Sequence, residues 1–410
     1  TFTIAFEDIA TNSGTSVTSG SGSVTFDKTA PTLSSVSIAS NNTPGPTTHA
    51  KVGHEVTLSF TASEVIKTNP TVVFQSGSAA ITNSGSITYA NPSTNNWTAK
   101  YTTHSSDTAG SVTYSIDFDD LAENDGTDVT SGSGSVTFAR TAPTLTSVSI
   151  ASDNSPSTHA NTDDIVTLTI VGDKALQQPT VVFSSGSSTV ADSSITYATS
   201  DGGRTWTAKY EPEAGDTEGN VTFSVDFDDL AGNDGVDITA VIGSSSVLFD
   251  KTVPTLTSVS IASNNATTTL AAVGNEITLT FTASENLQTP VVTFKAGSNN
   301  ISTADVVAGS GTNWTAKYTA NAGDTDGSVT FTIAFEDIAT NSGTSVTAVS
   351  DSTSITFNNT APTLPSVVIA SSNSPGNLAN AGDVVTITLT SSIAISQPVV
   401  TFKSGGNAVS

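Results

Sequence analysis

The sequence of 410 residues contains no cysteine and no methionine, and only 12 lysines and arginines stand against 37 aspartates and glutamates. Without cysteine no disulfide can staple the fold, so each core must be stabilised by burial alone. Because even an initiator methionine is missing, we expect an internal or processed piece of a longer chain. No apolar run approaches the roughly 18 residues that a membrane span needs, so we expect no membrane insertion in this segment.

The shortage of basic residues restricts the classes of partner. The formal net charge is −25. Nucleic acids and anionic membranes are bound through clustered lysine and arginine, so we expect neither as a partner. An acidic surface rich in serine and threonine is typical of a protein that stays soluble outside the cell, where divalent cations are plentiful. We therefore expect an extracellular or cell-surface location, although ordinary solubility explains the same composition.

The strongest signal in the sequence is an internal repeat. The phrase Thr-x-Pro-Thr-Leu returns with its prolines 112, 111 and 108 residues apart, at Pro31, Pro143, Pro254 and Pro362. A second phrase, Trp-Thr-Ala-Lys-Tyr, begins at Trp97, Trp206 and Trp314. The two phrases agree on one unit length, which is the size of a single immunoglobulin-like sandwich.

The repeats divide the chain into three complete units and two partial ones. The complete units are 28–139, 140–250 and 251–358. Residues 1–18 are identical to 330–347, so we assign 1–27 to the C-terminal part of a unit, its strands F and G. Residues 359–410 correspond to the N-terminal part, strands A, B and C. We expect the parent array to be longer.

Alternating runs of Val, Ile, Thr and Phe between turn residues predict short strands. In the first complete unit we predict strands A at 33–39, B at 55–62, C at 71–75, D at 86–90, E at 97–102, F at 111–118 and G at 133–138. No segment has a helical period. The predicted fold class is all-β: tandem immunoglobulin-like β-sandwich domains of about seven strands each, in an extended array.

Alternation also predicts which side chains form the core. In strand E it places Trp97, Ala99 and Tyr101 on the inner face and Lys100 on the outer face. In strand F the inner residues are Val112, Tyr114, Ile116 and Phe118. An isopeptide crosslink needs a buried lysine beside a buried acid, so we do not expect one at Lys100 or at its repeats, Lys209 and Lys317.

Three recurring motifs carry a resemblance to a known family. They are the linker Asp-Lys-Thr-x-Pro at 27–31 and 250–254, the strand-B ending Phe-Thr-Ala-Ser-Glu at 60–64 and 281–285, and the loop Asp-Leu-Ala-Gly-Asn at 229–233, with looser copies at 120–124 and 337–341. In these motifs the chain resembles the tandem bacterial immunoglobulin-like domain repeats of large surface proteins and adhesins. The resemblance implies the fold over essentially the whole chain, whereas such sandwiches serve many functions.

Acidic residues recur at the end of each unit where the BC and FG loops meet the incoming linker. In the first unit the candidate metal ligands are Asp27, Glu64, Asp119, Asp120 and Asn124. In the third unit they are Asp250, Glu285, Glu336, Asp337 and Asn341. Oxygen ligands that converge from three segments are what calcium prefers, so we predict calcium-stiffened joints. Alternatively, these side chains cap turns through their own backbone, or pair with Lys28, Arg140 and Lys251.

The acidic pattern is incomplete elsewhere in the chain. At the second junction Ala139 and Arg140 replace the linker acid, while Asp173, Asp228, Asp229 and Asp234 remain. In the last unit Asn358 takes the linker position, and Ser391 and Ser392 replace the BC acid. The EF-loop residues Asp107, Asp216 and Asp324 lie in Asp-Thr turns, and we predict that they form those turns.

Nothing in the sequence predicts a catalytic residue or an organic cofactor. The four histidines, His49, His54, His104 and His159, do not all recur from unit to unit and have no cysteine beside them. No glycine-rich phosphate loop precedes a lysine. The paired acids repeat at every junction, whereas a catalytic pair is normally built once. We therefore expect no enzyme activity.

The favoured hypothesis is a structural repeat region of a microbial extracellular protein, in a stalk, a surface layer or a filament. Its partners would be neighbouring repeats of the same chain and, through self-association, other copies in a filament or lattice. One alternative is an adhesin whose loops grip a glycan or host surface. The AB loop varies most, between 40–53 and 263–274, which favours this alternative, whereas the scarcity of surface aromatics does not. Another alternative is a set of spacer domains in a secreted enzyme.

Overall fold

The computed structural model describes residues 1–82, 84–191, 194–297, 299–303 and 306–408. Their secondary structure consists of short strands, with a 3-10 turn at Ser84–Ser86. The chain forms two compact units, one of Thr1–Asp153 with Thr162–Phe249 and the other of Asn154–Asn161 with Asp250–Ser410. The predicted all-β class is confirmed.

The first repeat is a two-sheet sandwich. Its strands are β1 Leu33–Ser40, β2 His49–Ala50, β3 Glu55–Ala62, β4 Thr71–Ser76, β5 Ala79–Ala80, β6 Thr88–Ser93, β7 Asn96–Thr102, β8 Gly110–Asp117 and β9 Val136–Phe138. One sheet has the order β1-β3-β7-β6 and the other β2-β9-β8-β4-β5. Neighbours are antiparallel except β2 and β9, which are parallel. This strand order is that of an immunoglobulin-like sandwich.

All seven predicted strands of this repeat are present, and two of them, D and G, begin two and three residues later than predicted. Strand D begins at Thr88 because the chain forms the 3-10 turn just before it. Strand G begins at Val136 because Ser133 still pairs with β1, donating its backbone N–H to the carbonyl of Val36 at 2.8 Å. The very short strands β2 and β5 carry too few residues to show alternation, and they were not predicted.

The next two repeats have the same plan. The second contains β10 Leu145–Ser152, β11 His159–Ala160, β12 Val166–Gly172, β13 Thr180–Ser185, β14 Ser188–Thr189, β15 Thr196–Thr199, β16 Thr205–Tyr210, β17 Gly219–Asp226 and β18 Leu248–Phe249. The third contains β19 Leu256–Ser263, β20 Leu270–Ala271, β21 Glu276–Ala283, β22 Val291–Ala296, β23 Asn299–Thr303, β24 Val306–Ser310, β25 Asn313–Thr319, β26 Gly327–Ala334 and β27 Ile355–Phe357. The sheet orders include β10-β12-β16-β15, β18-β17-β13-β14, β19-β21-β25-β24 and β20-β27-β26-β22-β23.

The terminal pieces pair less extensively than complete repeats. Residues 1–27 form isolated bridges, such as Ile4 with Val17, where strands F and G were predicted. At the other end β28 Ser366–Ser371 pairs with β29 Val385–Thr390 as strands A and B, and β30 Lys403–Ser404 pairs with β31 Asn407–Ala408. Within the described residues, β30 of this last hairpin is the part of the predicted strand C that is a strand.

The cores follow the predicted alternation. Trp97, Ala99 and Tyr101 are buried on β7, whereas Lys100 points outward and its Nζ lies 2.8 Å from Glu55 Oε1. Phe74 and Tyr101 stack with ring centroids 4.8 Å apart, and an equivalent pair recurs in each complete repeat. Burying such an aromatic contributes on the order of 2–3 kcal/mol. Lys100 therefore lies on the outer face of the sheet, as alternation predicts.

The EF turns are built by their aspartates, as predicted. Asp107 accepts hydrogen bonds from the backbone N–H groups of Thr82 and His104, at 2.7 and 2.8 Å. Asp324 accepts one from Asn321 at 2.7 Å, and the Tyr318 hydroxyl also donates to it. These bonds fix each turn, and in the third repeat they connect it to Tyr318 of β25.

Candidate cation sites at the repeat junctions

Each junction is organised by an Asp-x-x-x-Asn loop between strands F and G. In the first repeat Asp120 Oδ1 accepts from the backbone N–H groups of Ala122 and Asn124, at 2.7 and 2.9 Å. Its other oxygen, Oδ2, accepts from Asn124 Nδ2 at 2.7 Å. Asp229 and Asp337 are held in the same way by Asn233 and Asn341. The loop therefore fixes one buried carboxylate at the end of each sandwich.

The linker and the BC loop bring two more carboxylates to this point. Asp27 Oδ1 accepts from the backbone N–H of Thr29 at 3.0 Å, which sets the turn of the linker. The BC loop is tied to the linker by Ser63, whose Oγ accepts from Thr32 N–H at 3.0 Å and whose own N–H donates to the Thr32 carbonyl at 2.9 Å. Glu64 follows Ser63 directly, so it reaches the same place as Asp27.

Three carboxylates converge as a result. Oxygens of Asp27, Glu64 and Asp120 all lie within 4.8 Å of one another. In the third repeat Asp250, Glu285 and Asp337 form the same cluster. Two ligands on opposite sides of a calcium ion lie about 4.6–5.2 Å apart, since each bond measures about 2.3–2.6 Å. The observed separations therefore fit ligands arranged around one ion.

The electrostatics of the clusters reflect crowding of like charges. Burial and the charges of Asp27 and Asp120 raise the pKa of Glu64 above its ordinary value. Burial also raises the pKa of Asp337, where repulsion from Asp250 adds to it and the hydrogen bonds from Asn341 oppose it. The hydrogen bond from the Asn124 side chain lowers the pKa of Asp120. A bound cation would relieve the repulsion within either cluster.

The other four predicted ligands are not among the three converging carboxylates of each cluster. Asp119 and Glu336 precede the central aspartates in extended chain, so alternation turns them outward and leaves them exposed. Glu336 accepts a hydrogen bond from the Ser342 hydroxyl at 3.0 Å. Asn124 and Asn341 donate their side-chain amides to the central carboxylates. They therefore position a candidate ligand.

The turn-capping alternative is also present in the structure. Asp27 and Asp120 both bond their own backbone, and each does so while facing the other carboxylates. Capping and ligation use different lone pairs of a carboxylate, which offers about four. Arg140, by contrast, donates to the carbonyls of Ser105 and Asp107 at 3.0 and 3.3 Å. The capping bonds orient the clusters and do not use up their oxygens.

The second junction has a different arrangement. The sequence leaves Asp173 as an acid of this junction. In the structure, Asp173 makes the hydrogen bonds to the linker that Ser63 makes in the first repeat. Its Oδ1 accepts from Thr144 N–H at 3.0 Å, and its own N–H donates to the Thr144 carbonyl at 2.9 Å. Lys174 therefore stands where Glu64 stands in the first repeat. Its Nζ lies 4.0 Å from Asp229 Oδ2 and donates to the Thr141 carbonyl at 2.8 Å.

A contact that sequence reasoning missed covers the FG loops of the second and third repeats. Asn42, from the AB loop, donates its Nδ2 to the carbonyl of Leu230 at 2.8 Å, and Lys51 Nζ donates to the carbonyl of Gly232. Asn161, the counterpart of Lys51, donates to the carbonyl of Ala339 at 2.9 Å. The recurring His-Ala-Lys and His-Ala-Asn at 49–51 and 159–161 were the available signal.

This contact, which we call the AB-loop clamp, buries the loop beneath it. Ala231 and Ala339 are each 1% exposed, whereas the equivalent Ala122 of the first repeat is exposed. The FG loops hold the linkers as well. Asn233 Nδ2 donates to the Ala139 carbonyl at 3.3 Å, and Asn341 Nδ2 donates to the Asp250 carbonyl at 3.0 Å. The first and second repeats are thus joined by hydrogen bonds to one FG loop.

No protein-family model matches the sequence, and no curated protein matches it significantly. Among solved structures, a tetra-tandem repeat from the extending region of a large adhesion protein is 15% identical, with 88% of each chain covered and a TM-score of 0.26. The I9–I11 tandem of titin is 10% identical over 76% of this chain and 95% of its own, with a TM-score of 0.25. The Ig1-2 module of the Drosophila receptor tyrosine phosphatase DLAR is 10% identical over 53% of this chain and 98% of its own, with a TM-score of 0.18.

The fold is assigned from the strand order of each repeat, and the similarity to solved structures is not used for it. The chain is a tandem array of immunoglobulin-like β-sandwich repeats. Among the described residues, the structure contains no apolar helix of the length needed to cross a membrane.

Proposed function

We propose that these repeats form a load-bearing spacer, a stalk or filament segment of an extracellular or cell-surface protein, and that calcium stiffens two of its joints. The observation that carries the proposal is the convergence of Asp27, Glu64 and Asp120 from three separate segments, repeated by Asp250, Glu285 and Asp337. An ion that binds linker, BC loop and FG loop together opposes rotation of the linker. Joint stiffness is therefore coupled to the calcium concentration.

Three further features support a spacing function. The clusters are built twice in one chain, which suits a joint better than a catalytic centre. At the FG loop of the second repeat, the AB-loop clamp and the hydrogen bond from Asn233 to the linker hold the same loop by different contacts. The net charge of −25 keeps such a chain soluble and attracts divalent cations. Together they favour a mechanical element that responds to calcium.

Calorimetric titration of the whole chain with calcium tests the proposal. We expect two ions per chain, with dissociation constants in the range of about 10⁻⁴–10⁻³ M that is typical of extracellular modules. The thermal midpoint should rise with calcium, since a ligand that binds only the folded state stabilises it. Magnesium should bind less well because it demands a near-ideal octahedral shell of small radius.

Matched variants identify the sites. Glu64→Gln should remove one ion from the stoichiometry, and the double variant with Glu285→Gln should remove both. Glu213→Gln is the control, since it makes the same charge change in an exposed loop of the second repeat. Absence of calcium binding at millimolar concentration, or two ions still bound by the double variant, would contradict the proposal.

A further inference from the structure

The second junction differs from the other two at two positions that change together. The linker acid, Asp27 or Asp250, is replaced by Ala139, and the BC glutamate, Glu64 or Glu285, is replaced by Lys174. The central aspartate of the FG loop is retained as Asp229. The formal charge of the three positions therefore changes from −3 to zero.

The backbone shows that these positions are equivalent. Ser63, Asp173 and Ser284 each donate their N–H to the carbonyl of the linker threonine that follows the proline, at 2.9, 2.9 and 2.8 Å. The residues that follow them, Glu64, Lys174 and Glu285, therefore occupy equivalent backbone positions in the BC loop. The carbonyls of Ala139 and Asp250 each accept from the FG-loop asparagine of their own junction. The alanine thus occupies the place of the linker acid.

The Lys174 ammonium lies where the carboxylates meet in the other junctions. Its Nζ is 4.0 Å from Asp229 Oδ2, and that carboxylate side chain is 3% exposed. It also donates to both oxygens of Thr141 in the linker, the carbonyl at 2.8 Å and the hydroxyl at 3.0 Å. One ammonium thus connects BC loop, linker and FG loop, which are the three segments that an ion would connect elsewhere.

We infer that Lys174 is a resident cation, which holds the second joint without a metal while the joints on either side of it depend on one. The contrast with calcium-dependent joints rests on the proposed function. A compact ammonium with three donors can satisfy a carboxylate and a carbonyl at once. Calcium would then stiffen alternate joints, and the second joint would remain fixed when calcium is withdrawn.

Amide hydrogen exchange on the whole chain, in calcium and in EDTA, tests this inference. In the wild-type chain the amides of 229–233 should exchange at the same rate in both media, whereas those of 120–124 and 337–341 should slow in calcium. Lys174→Gln should accelerate exchange in 229–233 roughly 3- to 30-fold in both media, since it removes a hydrogen-bonded charge beside a buried carboxylate. Calcium-dependent protection of 229–233 in the wild type, or unchanged exchange in Lys174→Gln, would overturn it.

Substitution of the residues at the linker and BC positions provides a gain-of-function test. The double variant Ala139→Asp with Lys174→Glu should bind one calcium ion more than the wild-type chain and should make 229–233 respond to EDTA. The reverse pair, Asp27→Ala with Glu64→Lys, should lose one ion and the response at 120–124. If 120–124 and 337–341 never respond in the wild type, the proposed function fails, whereas the Lys174→Gln measurement still decides the role of the lysine.

Discussion

The AB-loop clamp can be tested by removing one amide group. Asn42 is 3% exposed, and its Nδ2 donates to the carbonyls of Leu230 and Pro46, at 2.8 and 3.2 Å. The surroundings are tight, since a Cβ added at Gly45 would lie 2.5 Å from Asn42 Nδ2 and 3.0 Å from the Leu230 carbonyl oxygen. In Asn42→Ala the Leu230 carbonyl loses this donor.

The magnitude follows from the cost of an unpaired buried carbonyl, about 1–3 kcal/mol. The amides of Ala231 and Asn233 report it, because both donate to Asp229 Oδ1 at 2.9 Å and are released only when the FG loop opens. If this free energy is lost from the closed state of the FG loop, the amides of Ala231 and Asn233 should exchange about 5- to 150-fold faster. The sandwich cores contain none of these groups, so global stability should change much less.

Hydrogen exchange of the 410-residue chain provides the measurement and an internal control. The Asn341 amide makes the same bond to Asp337 Oδ1 in the third repeat, at 2.9 Å, and should not change. Asn41→Ala is the matched variant, because Asn41 Oδ1 accepts from the Glu55 N–H within the first repeat, at 2.9 Å. Unaltered exchange at Ala231, or equal acceleration at Asn341, would refute the clamp as a coupling between repeats.

Two further outcomes can be measured by thermal or denaturant unfolding. Tyr318→Phe should destabilise the third repeat by about 1–2 kcal/mol, since the hydroxyl donates to Asp324 at 2.8 Å; Tyr101→Phe should be neutral or stabilising, because the buried hydroxyl of Tyr101 has no hydrogen-bond partner among the described residues. In EDTA the wild-type chain should gain free energy of unfolding relative to Glu64→Gln as the pH falls from neutrality towards the ordinary range of carboxyl groups, since a carboxyl whose pKa is raised in the folded state binds its proton there before it does so in the unfolded chain. The comparison cancels the opposite contribution of His49 and His54, whose pKa values are lowered by burial. A difference between the two proteins that does not change with pH would contradict the predicted repulsion.

The sandwich could be predicted because its information is local. Alternation in strand E identifies Trp97, Ala99 and Tyr101 as core residues without any knowledge of the other sheet. The start of strand G could not be predicted in the same way. It depends on Gly134, whose φ of 78° is in the left-handed region, and on a pairing with β1 that lies about a hundred residues earlier in the chain.

The acidic clusters were predicted from topology, since the loops at one end of a sandwich must meet the incoming linker. That reasoning selects Glu64 and Asp120 but cannot say which of two adjacent acids points inward. The direction of Asp119 is set by the extended chain that leaves strand F, with Phe118 and Asp120 inward. Asp173 shows a related limit, because the sequence shows an acid in this BC loop but not that its backbone position is that of Ser63.

The AB-loop clamp lay beyond sequence reasoning because it depends on how consecutive repeats meet. Asn42 and Leu230 are 188 residues apart, and neither belongs to a strand. The counterpart in the third repeat uses Asn161, from a different position of the AB loop. The same backbone loop is therefore reached by different side chains, and the recurring His-Ala before Lys51 and Asn161 marks only part of the contact.

These junctions separate the chemistry of a joint from the stability of a domain. Asp27, Ala139 and Asp250 lie in linkers, and Glu64 and Lys174 lie in loops, so none of them contributes to a sandwich core. The loop scaffold is the same at each junction, because the central aspartate and its asparagine make the same bonds. Two substitutions can thus exchange a cluster of three carboxylates for an ion pair without disturbing the fold. Under the proposed function, an array of nearly identical domains would combine joints that respond to calcium with joints that do not, and the residues at the linker and BC positions would set their order.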